Sequence, residues 1–186
     1  NENLPSSTSM TLTGGKIWGE VSEGFLSTLK NNLTAGGKTY RPVSLWVNWP
    51  VTDNSKQHLI LGGGEKFLHP NVDPSLLSGI MLNPMQQSEP SKIALFAGAQ
   101  YTWKQWKSEE EAKKLNDIAF NFVENGHFED SKVSAAFREL GKHMINQNMD
   151  NRVVKLEESV DLAPKLTDFM TKLKAGQDVT AERAAL

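Results

Sequence analysis

Apolar and polar residues alternate along residues 39–49, and this is the clearest strand pattern in the chain. The apolar face of the predicted strand carries four residues spaced two apart: Val43, Leu45, Val47 and Trp49. The opposite face carries Ser44, Trp46 and Asn48. Residues 57–61 (QHLIL) follow after a turn and predict a return strand, so we expect the two segments to form a hairpin.

Shorter segments complete the predicted β-rich part of the chain. Residues 16–21 (KIWGEV) alternate in the same way and predict a short strand. Residues 92–97 (KIALFA) are a short apolar run, which is typical of a buried strand, and residues 99–104 extend or follow it. Between these strands, residues 75–81 predict one or two helical turns and residues 82–91 predict a loop.

Helical spacing of apolar residues begins at Ser22, which opens a short amphipathic helix, and dominates the second half of the chain. Ser108 and Glu111 have the spacing of a capping box, so they mark the start of a longer helix. This helix is expected to end near Gly126. A further helix is predicted over residues 131–148.

Residues 152–162 fit a strand and a helix about equally well, because Glu158 interrupts an alternation of apolar residues. Pro164 suits the first turn of a helix, and the apolar residues after it recur at helical spacing up to Gly176. A last short helix is expected after Asp178.

Strands precede helices in this sequence of elements, which favours an α+β fold over alternating βαβ units. We expect a small antiparallel β-sheet or an OB-like barrel in the N-terminal part, packed against C-terminal helices. The predicted organisation has three parts: a flexible arm (1–13), a single α+β domain (14–150, β-rich over 14–105 and helical over 106–150) and a C-terminal extension (151–186). The extension is a candidate for packing on a neighbouring subunit.

Composition excludes several classes of protein. The 186 residues include no cysteine, which excludes a disulfide scaffold, thiolate catalysis and a Cys-based zinc site. No apolar run reaches the roughly 18 residues of a membrane span, and no signal peptide is visible. A cytoplasmic protein without a membrane partner is therefore expected.

The pattern of reactive side chains predicts no catalytic residue, no metal site and no cofactor. A Gly-x-Ser-x-Gly nucleophile elbow is absent, and residues 36–39 (GGKT) lack the preceding strand and following helix of a phosphate-binding loop. The four histidines lie far apart in sequence, whereas metal sites favour closely spaced ligands. An enzyme is arguable only from His69 in the long loop 62–91, together with Glu65 and His127.

Tryptophan provides the best lead to a function. All five tryptophans fall in the first 106 residues, and Trp46 lies on the polar face of its predicted strand, where something is expected to cover the indole. Trp18 and Trp103 repeat this arrangement, with lysines and an arginine interleaved. Flat rings beside cations are what a groove for single-stranded nucleic acid needs. The candidate binding residues are Lys16, Trp18, Arg41, Trp46, Asn48, Tyr101, Trp103 and Lys104.

The leading hypothesis is therefore a non-enzymatic protein that binds single-stranded nucleic acid by aromatic stacking. Charge counts against it, because residues 1–100 hold seven cationic and seven anionic side chains and the whole chain carries a net charge of −2. In one alternative the tryptophans are buried under the C-terminal helices. In another, a structural protein assembles with itself or another protein through residues 1–13 and 151–186. A hydrolase with its histidine in the loop 62–91 is the least supported class.

Overall fold

A sheet of three parallel strands lies at the centre of the structure, a computed structural model that describes residues 4–53, 59–145 and 158–186. The strands, in the order in which they pair, are β1 (Thr11–Leu12), β2 (Val43–Pro50) and β3 (Leu77–Asn83). The α-helices of the described residues are α1 (Glu23–Thr34), α2 (Ser88–Trp103), α3 (Glu109–Asn125), α4 (Lys132–Gly141), α5 (Leu162–Lys174) and α6 (Thr180–Ala185).

The parallel pairing corrects the predicted antiparallel sheet or OB-like barrel. Strand β2 pairs with β1 on one side and with β3 on the other, in a register that places Leu45 between Leu12 and Ile80. Parallel neighbours need a long crossover connection, and α1 lies within the connection from β1 to β2. The predicted hairpin is also wrong, because residues 59–61 are not a strand; residues 57 and 58 lie outside the described part of the chain.

Burial confirms the two faces predicted for the central strand. The apolar face is at most 1% exposed at all four positions: Val43, Leu45, Val47 and Trp49. Helix α2 packs closely on the same face of the sheet, because a Cβ atom on Gly98 would overlap the side chain of Leu82 in β3. On the other face, Trp46 and its β3 neighbour Met81 are 41% and 43% exposed, so this face is open at these two positions.

Helix α2 replaces the buried strand that residues 92–97 predict, and residues 99–103 continue it. The helix packs against β3 and α3 at once, so its buried residues do not form a single stripe: Ser91, Ile93, Ala94, Ala97, Gly98 and Tyr101. A short apolar run buried on several sides does not distinguish a strand from a helix, which is why the prediction fails here.

Two further segments differ from the prediction in the same part of the chain. Residues 16–20 form a loop after β1, and only Val21 pairs, through an isolated parallel bridge to Leu68. Residues 75–81 begin as a 3-10 turn (Pro74–Leu76), but from Leu77 onward they belong to β3.

Serine caps begin three helices where the sequence predicts them. Ser22 Oγ accepts a hydrogen bond from the backbone N–H of Phe25 at 3.4 Å, and Ser108 Oγ accepts one from Glu111 at 3.2 Å. Ser131 caps α4 through a reciprocal bond with Ser134. Helix α4 ends at Gly141, earlier than the predicted residue 148.

The end of the chain forms two helices, α5 and α6, that contact each other. Residue 162, the last of the segment that fits a strand and a helix equally, begins α5; residues 152–157 lie outside the described part of the chain. The three-part organisation and the packing of the extension on a neighbour stay predictions. Within the described residues, none of the helices has the length and apolar character needed to cross a membrane.

Candidate functional site

The carboxyl ends of three parallel strands meet at one edge of the sheet, and polar side chains collect there. Asn48 lies near the end of β2, and Asn83 is the last residue of β3. The loop 13–20 follows β1 at the same edge. In sheets of parallel strands, ligands bind preferentially at this edge, because the loops that leave the strands are free to vary there.

Asn48 is the centre of a hydrogen-bond network at this edge. Its Oδ1 accepts from the indole Nε1 of Trp46 at 2.7 Å and from the amide Nδ2 of Asn83 at 3.0 Å. Its Nδ2 donates to the backbone carbonyl of Ile17 at 2.5 Å. The residue is 9% exposed. Asn48 therefore ties the ends of β2 and β3 to the loop that follows β1, and it orients the Trp46 indole.

The network leaves a defined chemical surface. Trp46 keeps an open ring face, while its N–H is satisfied by Asn48. A flat apolar ring next to amide groups suits a ligand that has an apolar face and hydrogen-bonding groups around its rim. Asp53 lies in the loop directly after β2 and adds an exposed carboxylate to the same end of the strand.

Trp49 holds this end of β2 from the opposite face of the sheet. Its indole Nε1 donates to the carbonyl of Gly62 at 3.0 Å, and its ring stacks on Phe67 with centroids 6.2 Å apart. A Cβ atom on Gly64 would approach the Trp49 ring to 2.7 Å, so the chain packs tightly against the indole. The strand that carries Trp46 and Asn48 is thus anchored by a fully buried neighbour.

The loop 13–20 folds back on itself before it reaches Asn48. A Cβ atom on Gly19 would overlap the carbonyl oxygen of Thr13 and lie 2.6 Å from the Cα atom of Gly14. Only a residue without a side chain allows this backbone-to-backbone contact. The contact brings the carbonyl of Ile17 within reach of the Asn48 amide.

We expect Gly19→Ala to lower the free energy of unfolding by about 3 kcal/mol, because the clash is with backbone that cannot rotate away. Gly24→Ala is the matched control: Gly24 lies in α1 with no atom within 4 Å of an added Cβ, so alanine is expected to stabilise by about 0.5–1 kcal/mol. Urea denaturation measures both changes. Equal effects of the two substitutions would contradict the close contact.

Four of the eight residues predicted from the sequence lie at or near this edge. Trp46 and Asn48 are in direct contact. Lys16 and Trp18 lie on the loop 13–20, where Lys16 pairs with Glu20 at 3.4 Å and Trp18 is half-buried.

The other four predicted residues lie elsewhere. Arg41 precedes β2, at its opposite end, and donates to the carbonyl of Pro5 at 2.8 Å. Tyr101, Trp103 and Lys104 lie in or directly after α2, the helix that packs on the apolar face of the sheet. Trp103 is 91% exposed, whereas Tyr101 is buried. The alternation expected for these residues on a strand is therefore replaced by helical geometry, which separates them from Trp46.

Sequence reasoning missed Asn83 and the carbonyl of Ile17. The sequence signal for Asn83 is that it ends a mostly apolar segment, LSGIMLN, just as Asn48 lies near the end of the apolar strand β2. That signal becomes visible only when residues 77–83 are assigned to a strand. A backbone carbonyl such as that of Ile17 leaves no trace in the sequence.

Three of the four histidines, His69, His127 and His143, lie in the described part of the chain. Among the described residues, no group of three or more histidine, aspartate or glutamate side chains is placed to hold a metal ion. His69 pairs with Glu20 at 3.1 Å, not with the nearby Glu65. His143 lies 2.7 Å from Ser159 Oγ, in the wall of a cavity of about 300 Å³ whose lining does not include Asn48.

Comparison with known proteins identifies the family to which the chain belongs. The sequence profile of the β-N-acetylglucosaminidase family matches residues 1–142. The solved structure of CpGH84D is 27% identical, with a TM-score of 0.72 over 98% of this chain and 28% of that chain. A mutant of the Thermobaculum terrenum O-GlcNAc hydrolase is 22% identical, with a TM-score of 0.58 over 93% of this chain and 34% of that chain. The two chains share a fold over this region. The chain thus spans about a third of the length of the solved structures it matches.

The family match covers most of the sequence, and the chain belongs to the β-N-acetylglucosaminidase family. The predicted non-enzymatic binder of single-stranded nucleic acid is therefore wrong, and so is the OB-like barrel. The physical reason lies in the placement of the rings and cations. The tryptophan on the polar face lies where the sequence predicts it, but its indole N–H donates to the Asn48 amide, which also accepts from Asn83. It does not belong to a row of further rings and cations. Assembly with itself or another protein through residues 1–13 and 151–186 stays a prediction.

Proposed function

We propose that this chain provides the sugar-binding side of a β-N-acetylglucosaminidase active site. The proposal rests chiefly on one observation, the Asn48-centred network that holds an exposed Trp46 ring at the carboxyl edge of a parallel sheet. Membership of the β-N-acetylglucosaminidase family supports it independently. The similar structure from Thermobaculum terrenum is that of an O-GlcNAc hydrolase, whose activity is consistent with this proposal.

The chemistry of a pyranose ring matches this surface. One face of N-acetylglucosamine presents C–H groups, which stack on an indole, and its rim presents hydroxyl and acetamido groups. Asn83 and the exposed carboxylate of Asp53 lie at the ends of β3 and β2, where they are placed to contact that rim. Asn48 acts mainly by holding Trp46 and Asn83, because its own oxygen already accepts two hydrogen bonds.

Hydrolysis needs more than sugar binding. Glycosidases generally use a pair of carboxyl groups on either side of the scissile bond, or a single acid with assistance from the substrate. Tryptophan, asparagine and backbone groups of the Asn48 network do not transfer protons in this way. The residues of the network are therefore assigned to binding and orientation of the sugar.

The test is a titration of the ¹⁵N-labelled chain with N-acetylglucosamine. The indole N–H signal of Trp46, identified by its loss in Trp46→Phe, is expected to shift with saturation at a Kd of about 1 mM, the value for a ligand of this size. Glucose lacks the acetamido group and is expected to bind more weakly. Release of nitrophenol from 4-nitrophenyl N-acetyl-β-glucosaminide measures hydrolysis in the same samples.

An oligo-dT titration serves as the negative control, and no shift of the Trp46 signal is expected from it. If N-acetylglucosamine leaves the Trp46 signal unmoved at 50-fold excess over the expected Kd, the sugar-binding assignment of this edge is wrong.

A further inference from the structure

Glu20 is a half-buried carboxylate that holds the loop 13–20 from outside the Asn48 network. Its Oε2 lies 3.1 Å from Nε2 of His69, and its Oε1 lies 3.4 Å from Nζ of Lys16. Lys16 is within the loop, whereas His69 comes from a separate part of the chain, 49 positions further on. The carboxylate therefore bridges the loop to the body of the fold.

His69 is itself fixed by its backbone. Its N–H donates to the carbonyl of Val21 at 3.0 Å, next to Glu20, and its carbonyl accepts from the Tyr101 hydroxyl at 2.8 Å. Burial raises the pKa of the Tyr101 phenol, so that the hydroxyl stays protonated and continues to donate. These bonds fix the backbone of His69, and its ring Nε2 also lies 3.3 Å from the carbonyl of Lys66, so the imidazole that faces Glu20 is held in place on two sides.

The other end of the loop reaches the site. Ile17 lies three residues before Glu20, and its carbonyl accepts from the Asn48 amide at 2.5 Å. The donor is Nδ2 of Asn48, and Oδ1 of the same side-chain amide accepts from Trp46 and Asn83. A displacement of the loop therefore changes the orientation of the Asn48 amide and, through it, the positions of both ligand-binding side chains.

We propose that Glu20, held by His69 and Lys16, is a positioning residue for the Asn48 network. It fixes the loop 13–20 so that the Ile17 carbonyl sets the rotation of the Asn48 amide and thereby orients Trp46. The consequence for sugar affinity rests on the proposed function, whereas the consequence for the Asn48 amide does not.

The experiment compares Glu20→Ala with Glu20→Gln in the full chain. Alanine removes both contacts, whereas glutamine keeps the length of the side chain and one acceptor oxygen. Glu109→Gln is the matched control, because it removes the charge of a carboxylate in a different ion pair, Lys66–Glu109 at 2.7 Å, and Glu109 lies outside the loop. The first readout is the side-chain NH₂ signal of Asn48 in ¹⁵N spectra, assigned from its loss in Asn48→Asp. The second is the affinity for N-acetylglucosamine.

The Asn48 NH₂ signal is expected to move in Glu20→Ala and to return close to its original position in Glu20→Gln. Affinity for N-acetylglucosamine is expected to fall roughly three- to tenfold in Glu20→Ala, the loss typical of one misplaced hydrogen bond, and to stay unchanged in Glu109→Gln. A lower melting temperature of Glu20→Ala with an unmoved Asn48 signal would show a merely structural role and overturn the proposal.

The same data separate failure of the two proposals. If the Asn48 signal moves in Glu20→Ala but no form of the chain binds N-acetylglucosamine, the positioning role stands and the proposed function fails. If Glu20→Ala does not fold, Lys16→Met and His69→Leu remove the two contacts of Glu20 one at a time. An Asn48 signal that is unmoved in both of these variants overturns the positioning role.

Discussion

Replacement of Asn48 by alanine is expected to abolish binding of N-acetylglucosamine and to lower the free energy of unfolding by about 2–4 kcal/mol. The substitution takes away the acceptor of the Trp46 and Asn83 donors and the donor to the Ile17 carbonyl. The three groups left without a partner are part-buried, so each is expected to contribute about 1 kcal/mol to the loss. Trp46 also loses the contact that sets the plane of its ring. The ¹⁵N titration and urea denaturation measure the two effects on the same sample.

Two control substitutions separate the network from general loss of stability. Asn48→Asp keeps an oxygen that accepts from Trp46 and Asn83, but it places a carboxylate against the Ile17 carbonyl, so intermediate sugar binding is expected. Asn125→Ala removes an amide at the end of α3, where its contacts are with Glu129 and His127. Sugar binding is expected to survive this change. Equal loss of binding in Asn48→Ala and Asn125→Ala would show that the Asn48 network has no special role.

Local chemistry accounts for the parts of the fold that the sequence predicts correctly. The alternation along β2 places Trp46 and Trp49 on opposite faces because the side-chain period of a strand is two. Ser22 and Ser108 mark helix starts because a serine hydroxyl satisfies a free backbone N–H within three residues. In each case, the physical cause lies within a few residues of its effect.

Strand pairing depends on contacts between distant segments, and there the prediction fails. The neighbours of β2 are β1, some 30 residues before it, and β3, some 30 residues after it. A nearby apolar segment, residues 57–61, resembles a better partner because a hairpin needs no long connection. Helix α2 has no clear period because it is covered by both the sheet and α3. The predicted hairpin then leads to an antiparallel sheet or OB-like barrel in place of the parallel sheet.

The site shows the same division. Trp46 and Asn48 are predictable, because both lie on the polar face of one strand and the indole there requires an explanation. Asn83 belongs to a different strand, and the Glu20–His69 pair spans 49 positions, so neither partnership is visible in the sequence. Sequence reasoning gives a hydrolase the least support because the side chains of the Asn48 network are amides and an indole. These residue types do not form a recognisable catalytic motif in a sequence.

Trp49→Ala is expected to be the most destabilising single change among the tryptophans, at about 3–5 kcal/mol. The indole is 1% exposed, donates to the Gly62 carbonyl and stacks on Phe67, so alanine leaves a large cavity and an unpaired carbonyl. The segment around Gly64 packs directly against the ring, so the cavity opens within the core. Denaturation of Trp49→Ala by urea measures the loss, and Trp49→Phe is expected to recover part of it.

Trp46→Ala is the control that distinguishes the two faces of β2. Trp46 is 41% exposed, and its loss leaves Asn48 with a second hydrogen-bond donor in Asn83, so stability is expected to change by no more than about 1 kcal/mol. Sugar binding, in contrast, is expected to disappear because the stacking surface is gone. A Trp46→Ala variant that unfolds as readily as Trp49→Ala would show that the indole at the strand end is part of the core. One that still binds N-acetylglucosamine would show that the sugar does not stack on it.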